Sequence, residues 1–420
     1  MINLSFPDQL YRYEIGHPVQ DRGGAQPEFS STFRATPSTF DNVTLGVVGD
    51  TGVKAREEVI AALLEYKPKL RGLIHVGDLT YATDKGSCYN VKFQTEQTCQ
   101  WDCPKDNDLC TGRKRPSMQT FETWKRYMEL VAPLTNEIPF LTTMGNHDNS
   151  VLWFMKFRPP VLSRAERKGA GNELTAARLF QSPEFLGQSA SKQQGLAMEV
   201  LSDPLYFSVD LGPFHLVSIQ SEDNAVNAYE RATSHGQALT AEERERFEQH
   251  FGLSSGQYVW LEQDLAAVNR TRTPWVIIVT HRPPFHTSSH HPSCGVGGDW
   301  YKCEFRTTYH PLFERYNVDV VLNGHSHHYS RTFPITMQEN NVPKRAEDPS
   351  LAPQYIIVGT GGNKLEGSWS SSPEWLANRA GKSFGFGLLE SSLKSLSWTF
   401  VSSSSRQPLD TCTLRQEPWQ

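Results

Sequence analysis

The sequence predicts an α/β fold in which a two-layered β-sandwich core is flanked by helices, and three observations predict it. Short apolar runs recur along the chain and stop at a ligand-type side chain. Segments with helical apolar spacing lie between those runs, and a further set of β-rich runs fills the second half. Strands and helices alternating in this way build sheets whose functional loops gather at the ends of the strands.

Taken in order, residues 44–48 (TLGVV) form a β-branched run that stops at Gly49 and Asp50. KAREEVIAALLEYK (54–67) then places Val59, Leu63 and Tyr66 at helical spacing. GLIHV (72–76) stops at Gly77 and Asp78, and SMQTFETWKRYMELV (117–131) reads as a helix. IPFLTTM (138–144) stops at Gly145, Asn146 and His147, and YFSVDLGPFHLVSIQSE (206–222) reads as a hairpin. QYVWLEQDLAAV (257–268) is a helix, PWVIIVT (274–280) stops at His281, and VDVVLN (318–323) stops at Gly324 and His325. Together with the hairpin of 206–222, YIIVG (355–359), FGFGLLE (384–390) and SLSWTFV (395–401) suggest a second group of strands. One Asp or Asn at a strand end is ordinary turn chemistry. Five such endings in succession are not explained by turns alone.

At 420 residues the chain is long enough for one large domain with decorations, or for two domains. A net charge of -5 and a pI near 6.3 give no general attraction to nucleic acid or to an anionic membrane, so neither is an expected partner. No apolar run reaches the roughly 18 residues that cross a bilayer. The seven cysteines fall as Cys88, Cys99, Cys103 and Cys110, then Cys294 and Cys303, then Cys412 alone. Two clusters of even count predict disulfide-stapled loops and an oxidising compartment, so a secreted or lysosomal/vacuolar location is expected. A zinc site on the first cluster is the competing reading, but that cluster has no CxxC pair and no intervening histidine. Sequons at Asn3, Asn42 and Asn269 fit a secreted glycoprotein, and Asn269 is the best placed, in a polar break between a helix and a strand. The first twenty residues lack a basic stretch followed by an apolar one, so they cannot serve as a secretory signal. Either export takes another route or the chain starts inside a longer protein. Residues 84–116 and 150–200 read as insertions that line the mouth of a site.

The chemistry lies in five clusters: GDTG (49–52), GDLTY (77–81), GNHD (145–148), IVTH (278–281) and GHSH (324–327). They hold every residue type that a two-metal phosphoester hydrolase needs. Asp78 can bridge two ions, because a carboxylate has two oxygens. Asp50, Tyr81 and one GHSH histidine suit a hard trivalent ion, and the phenolate of Tyr81 favours Fe(III). Asn146, His281 and the other GHSH histidine suit a divalent ion such as zinc, iron or manganese. His325 and His327 lie two apart, so in an extended segment both side chains fall on one side and each can reach a different metal.

These clusters resemble the signature of the purple acid phosphatases, within the calcineurin-like metallophosphoesterase superfamily. The resemblance runs from about residue 44 to 410 and includes QYVWLEQDL, NRTRTPWVI, GHSHHYSRTFP and YIIVGTGGN. It implies the metallophosphoesterase fold and an acid phosphatase acting on phosphate monoesters, with metal-bound hydroxide as nucleophile and a histidine as general acid. It places Asp50, Asp78, Tyr81 and His327 on Fe(III), and Asp78, Asn146, His281 and His325 on the divalent ion. The catalytic histidines it implies are His147, His290, His291 and His286, with His291 preferred as the acid, then His290, then His286. His75, His310 and His328 are expected to be structural or exposed, and Asp84, Asp148 and Arg331 to serve local hydrogen bonding.

The chain departs from the pattern in having Ile278 where valine is usual. Plant-type members also carry a β-sandwich domain before the catalytic one, whereas here only about forty residues precede the first strand. LYRYEIG and SSTFRATPS resemble the last hairpin of that sandwich, so residues 1–42 are expected to be its remnant, 43–410 the catalytic domain and 411–420 a tail. Phosphodiesterase or nucleotide pyrophosphatase activity on the same site is the nearer alternative, and a non-catalytic metal-binding secreted glycoprotein the more distant one. A protein serine/threonine phosphatase is disfavoured by Tyr81. Two basic groups, Arg113, Lys114 and Arg115, and Arg164, Arg167 and Lys168, read as solvated loop faces rather than as a polyanion-binding mouth. The partner is a phosphate-ester substrate; the oligomeric state stays open, a homodimer among the options.

Overall fold

A computed structural model of the chain describes residues 10–15, 29–34, 42–53, 57–81, 118–148, 206–222, 240–287, 304–338, 342–369, 372–392 and 394–416. Six of the cysteines, both basic groups, both insertions, Asn3, Asp84, His290 and His291 lie outside the described residues, as do the pairings expected of those cysteines.

Two sheets face each other. In one, β3 (Val43–Val48), β4 (Leu70–His75) and β5 (Phe140–Thr142) run parallel. Antiparallel strands β15 (Gly385–Ser391), β16 (Ser395–Ser402) and β17 (Pro408–Gln416) extend it beyond β3, in the order β17-β16-β15-β3-β4-β5. The other sheet is built on parallel β7 (Phe214–Ser218), β8 (Trp275–Val279), β9 (Val320–Asn323) and β13 (Gln354–Val358). Its edges are antiparallel: β6 (Phe207–Leu211) on one side, and β10 (Tyr329–Thr332) with β14 (Leu376–Ala380) on the other. A separate hairpin pairs β1 (Leu10–Ile15) with β2 (Phe29–Arg34), and a small one pairs β11 (Ile335–Met337) with β12 (Pro343–Arg345).

The strand alternation explains the layers. Val43, Leu45 and Val47 point between the sheets and meet Trp275, Ile277, Val279, Val320 and Leu322. Val276 and Ile278, on the opposite face of β8, pack on the helices α3 (Ala241–Phe251), α4 (Gly256–Ala266) and α5 (Arg306–Arg315). β8 is therefore buried on both faces, which is why it reads as an unbroken apolar run. On the far side, α1 (Glu57–Tyr66) and α2 (Met118–Thr135) cover the first sheet. α2 does so through Trp124, Tyr127, Val131 and Leu134, a spacing of three and four that makes one buried stripe. Each fully buried aliphatic side chain contributes about 1.5–3 kcal/mol of burial free energy.

Two expectations change. The expected second group, the 206–222 hairpin with the late strands, is divided between the two sheets. β13 inserts beside β9, whereas β15, β16 and β17 complete the sheet of β3. β17 also runs through residues expected to be a tail, because Leu414 is buried in the inter-sheet core and Arg415 reaches Asp319 at 3.2 Å. No helix among the described residues is long and apolar enough to cross a membrane.

Candidate metal centre

The parallel strands of both sheets end on one rim, and the loops that follow them carry the five clusters. Four of the loop residues have left-handed backbone: Asp50 at φ 55°, Asp78 at 54°, Tyr81 at 53° and His325 at 67°. For tyrosine and histidine that conformation is costly and persists only when the surroundings enforce it. Here they do. Asp50 N–H donates to Gly77 O (3.0 Å), and Gly52 N–H to Leu79 O (2.8 Å). Asp148 accepts from the backbone N–H groups of both Leu79 and Gly145, at 2.9 Å each, and so ties the second cluster to the third. This is the local hydrogen bonding expected of it. The loops approach so closely that glycine is required: a Cβ on Gly145 would lie 2.2 Å from Asp78 Oδ1, and one on Gly77 2.4 Å from His281 Nδ1.

Side chains then meet in two groups, each with a member within ligand reach of Asp78. In the first, the Tyr81 hydroxyl lies 3.2 Å from Asp50 Oδ1 and 2.8 Å from His327 Nε2, which is itself 3.4 Å from Asp50 Oδ1. In the second, Asn146 Oδ1 lies 3.0 Å from His281 Nε2 and 2.8 Å from His325 Nδ1, and His281 Nε2 is 3.4 Å from Asp78 Oδ1. Potential ligand atoms of Asp50, Asp78 and His281 all fall within 4.8 Å of one another. His281 donates its Nδ1–H to Val76 O and His327 donates its own to Lys364 O, both at 2.8 Å, so each ring turns the lone pair of Nε2 inward. Asp50, Asp78, Tyr81 and His281 are buried at the floor, whereas Asn146, His147, His325 and His327 are half-buried at the mouth.

The arrangement fits a cation. Asp78 Oδ2 is buried with no hydrogen-bond partner, an expensive condition for a carboxylate unless something positive meets it. Burial opposes ionisation of Asp78, but the imidazoles of His281 and His147 hold it well below the usual carboxylate range. Burial likewise disfavours charge on His281, yet the carboxylate of Asp78, the hydrogen bond to it and the charge of Asp50 push that ring up to about 10. A field that holds a proton so firmly favours a metal in its place. Burial, then the charges of Asp50 and Asp78, raise the Tyr81 phenol, so a strongly polarising ion is needed to ionise it.

All seven residues expected as metal ligands converge here. His147 is close by: its backbone N–H donates to Asp78 Oδ1 (2.8 Å), and its ring lies 4.7 Å from that of Tyr81. His286 is buried on the loop after His281. His75, His310 and His328 are buried, as expected of structural residues. His75 is pushed down to about 3, chiefly by burial, and sits 2.9 Å from Thr51 Oγ1, and His310 lies 2.6 Å from the Tyr355 hydroxyl. Arg331 forms a two-pronged bond to Asp410 at 2.7 and 3.1 Å, away from the centre. Sequence reasoning missed the loop after β13, where Asn363 N–H donates to Asp50 O (3.0 Å) and Lys364 O holds His327. Its glycine-rich GTGGN was the available signal.

A model of the calcineurin-like phosphoesterase family matches residues 43–329, the span that holds all five clusters. The chain belongs to that family. Residues 352–411 match a second model, iron/zinc purple acid phosphatase-like protein C. Among curated relatives, Fe(3+)-Zn(2+) purple acid phosphatase 12 of Arabidopsis thaliana is 25% identical over 91% of this chain and 63% of its own length. The phosphoenolpyruvate phosphatase of Allium cepa is 24% identical over 98% and 68%, and a purple acid phosphatase of Glycine max 26% over 87% and 59%. The chain thus spans about two thirds or less of the length of these relatives. A solved purple acid phosphatase from yellow lupin (Lupinus luteus) seeds superposes with a TM-score of 0.63 at 17% identity, covering 98% of this chain and 60% of that one. PhoD gives 0.53 at 12% identity, covering 97% and 74%. At such identities the structural likeness shows the metallophosphoesterase fold, which is the fold class expected.

Proposed function

We propose that this chain is a metal-dependent acid phosphatase of the purple acid phosphatase type, which hydrolyses phosphate monoesters. The observation that carries the proposal is the pair of ligand groups, one of them containing a phenol, whose members Asp50 and His281 both lie within ligand reach of Asp78. On this reading Asp50, Asp78, Tyr81 and His327 hold Fe(III). Asp78, Asn146, His281 and His325 hold one divalent ion, zinc, iron or manganese, in keeping with the Fe(3+)-Zn(2+) name of the Arabidopsis relative. Such a pair, once bound, polarises the phosphoryl oxygens and makes hydroxide available in acid.

The chain's own groups do the rest. The half-buried residues at the mouth leave the floor open to a phosphate from one side, which orients the ester bond outward. His147 stands at that mouth on the Tyr81 ring, where its imidazole can contact a phosphate oxygen. The alcohol leaving on the outer side takes its proton from a histidine of the segment after His281, which carries His286, His290 and His291. A secreted or lysosomal/vacuolar location, supported by the cysteine clusters and sequons, completes the reading.

The test is the visible spectrum of the metal-loaded protein beside that of Tyr81→Phe, with phosphate-ester hydrolysis followed at acid pH. A purple tyrosinate-to-iron band that vanishes in the variant, with hydrolysis in the wild type, is the expected result. A colourless but active protein would show an all-divalent centre instead, and a colourless, inactive one would overturn the proposal.

A further inference from the structure

Directly behind the divalent side of the centre lies a buried ion pair. Arg282 donates from Nε to Glu222 Oε1 at 2.7 Å and from Nη2 to Oε2 at 3.1 Å, with both side chains almost wholly out of solvent. We infer that this pair is a positioning device that holds His281, and with it the divalent site, through the backbone of residue 282. The inference rests on the proposed role of His281 as a metal ligand.

Stability alone does not explain the pair. Two charges taken out of water are no better for a fold than apolar groups of the same size, and are often worse. What the pair does is fix one residue. Arg282 is held at its N–H by Ser221 Oγ (3.4 Å), at its guanidinium by Glu222 and at its carbonyl by Asn323 Nδ2 (3.2 Å). The same amide of Asn323 bonds Thr280 O at 3.0 Å, so it grips the chain on both sides of His281. His281 O in turn accepts from Gly324 N–H at 2.8 Å, one residue before His325. Both histidines of the divalent side therefore hang on this frame.

The frame is anchored well away from the chemistry. Ser221 Oγ also donates to Glu222 Oε1 (3.2 Å), and the side-chain amide of Gln220 donates to Glu222 O. Gln257 on α4 grips the Gln220 backbone at 2.7 and 3.0 Å and reaches the Tyr309 hydroxyl of α5 at 3.1 Å. With the backbone fixed, the ring of His281 is oriented by the hydrogen bond from its Nδ1–H to Val76 O at 2.8 Å. Tyr81 and His327, by contrast, are oriented by Asp50 and Lys364 O, and are tied to the frame more remotely, through the His325 N–H that Asp50 accepts at 3.0 and 3.1 Å. Loosening the frame should thus affect the divalent site first and the iron site far less.

The experiment compares the wild type with Glu222→Gln, Arg282→Lys and the double variant Glu222→Gln/Arg282→Met. Zinc affinity is measured on the iron-loaded protein by chelator competition, and the iron side is read from the tyrosinate band. The expected result is a zinc dissociation constant raised about tenfold or more in all three, with the iron band unchanged. The double variant removes both charges from the interior, so it folds even where a single replacement strands a buried charge. Zinc affinity staying within about twofold of the wild type would show that the pair is only structural and overturn the inference. Equal loss of zinc and iron would overturn it too, as a general collapse of the rim. A wild type that takes up none of zinc, ferrous iron and manganese at the second site would overturn the proposed function, and this inference with it, before any variant is made.

Discussion

Asp78 and Asp319 are both buried carboxylates, one after the end of a parallel strand and one before the start of another, and they are neutralised in different ways. Asp319, beneath β8 and β9, is met by Arg270 Nη1 at 3.0 Å, Arg415 Nε at 3.2 Å and the Val276 N–H at 2.8 Å. Asp78 is met by no lysine or arginine among the described residues. It lies 3.4 Å from the His281 ring and accepts from the His147 N–H at 2.8 Å. Its Oδ2 has no hydrogen-bond partner, and whereas Asp319 Oδ1 at least faces Arg415, no arginine or lysine among the described residues faces Asp78 Oδ2. Arginine is a permanent cation and closes a charge account for good. Imidazole, amide and phenol are ligands that can share a carboxylate with a metal. The difference in partner chemistry separates a carboxylate that pins the fold from one that waits for an ion.

The sharpest way to break the comparison is to neutralise each carboxylate. On the proposed ligand assignment Asp78→Asn removes the carboxylate that would bridge the two ions, so metal uptake should fall at both sites. Activity should drop by more than about a hundredfold, a larger loss than is usual for residues outside the ligand shell. Metal analysis of the purified variant alongside its hydrolysis rate checks this, and retention of both metals would show that Asp78 is not the bridge. Asp319→Asn should do the reverse. The buried guanidinium of Arg415 and the partly exposed one of Arg270 lose their counter-charge, which costs about 3 kcal/mol of stability in denaturant unfolding, while metal content per folded molecule stays the same.

The two regions were unequally legible in the sequence. The candidate ligands around Asp78 could be found because all seven follow one of five strands, and a ligand type after an apolar run is a local signal. Asp319 sits at the start of a strand in VDVVLN, and Arg270 and Arg415 are distant along the chain, so nothing local marks the cluster. The same limit hid the Glu222–Arg282 pair, whose partners are 60 residues apart. It also hid the destination of the late strands, because period-two alternation says which face of a strand is buried but not which sheet receives it. The left-handed backbone at Tyr81 and His325 has no sequence signature, since both residue types ordinarily avoid it.

A third carboxylate site sharpens the contrast with a smaller effect. His215 on β7 lies between Asp210 Oδ1 at 2.8 Å and Asp264 Oδ2 at 3.0 Å, and so joins the β6–β7 hairpin to α4. Here the neutralising cation is a proton. Burial disfavours it, but the hydrogen bonds to Asp210 and Asp264 and their charges prevail and raise the ring from 6.5 to about 9. Because the folded-state value is the higher, the stabilisation is fully present below pH 6.5 and is lost as pH rises through about 9. Asp210 is pulled below its ordinary 3.8, first by the hydrogen bond from His215, so its share is present above that pH and fades as pH falls further. The bridge is thus strongest between these limits, in mildly acid solution. In His215→Gln, stability should fall by about 2 kcal/mol at pH 6 and much less at pH 9.5. Unfolding curves at the two pH values check this, and an equal loss at both would mean that the ring contributes packing rather than charge. His281 beside Asp78 is raised by the same kind of field, but on the proposed assignment a metal would take the place of the proton there, so metal loading should leave the pH dependence assigned to His215 intact.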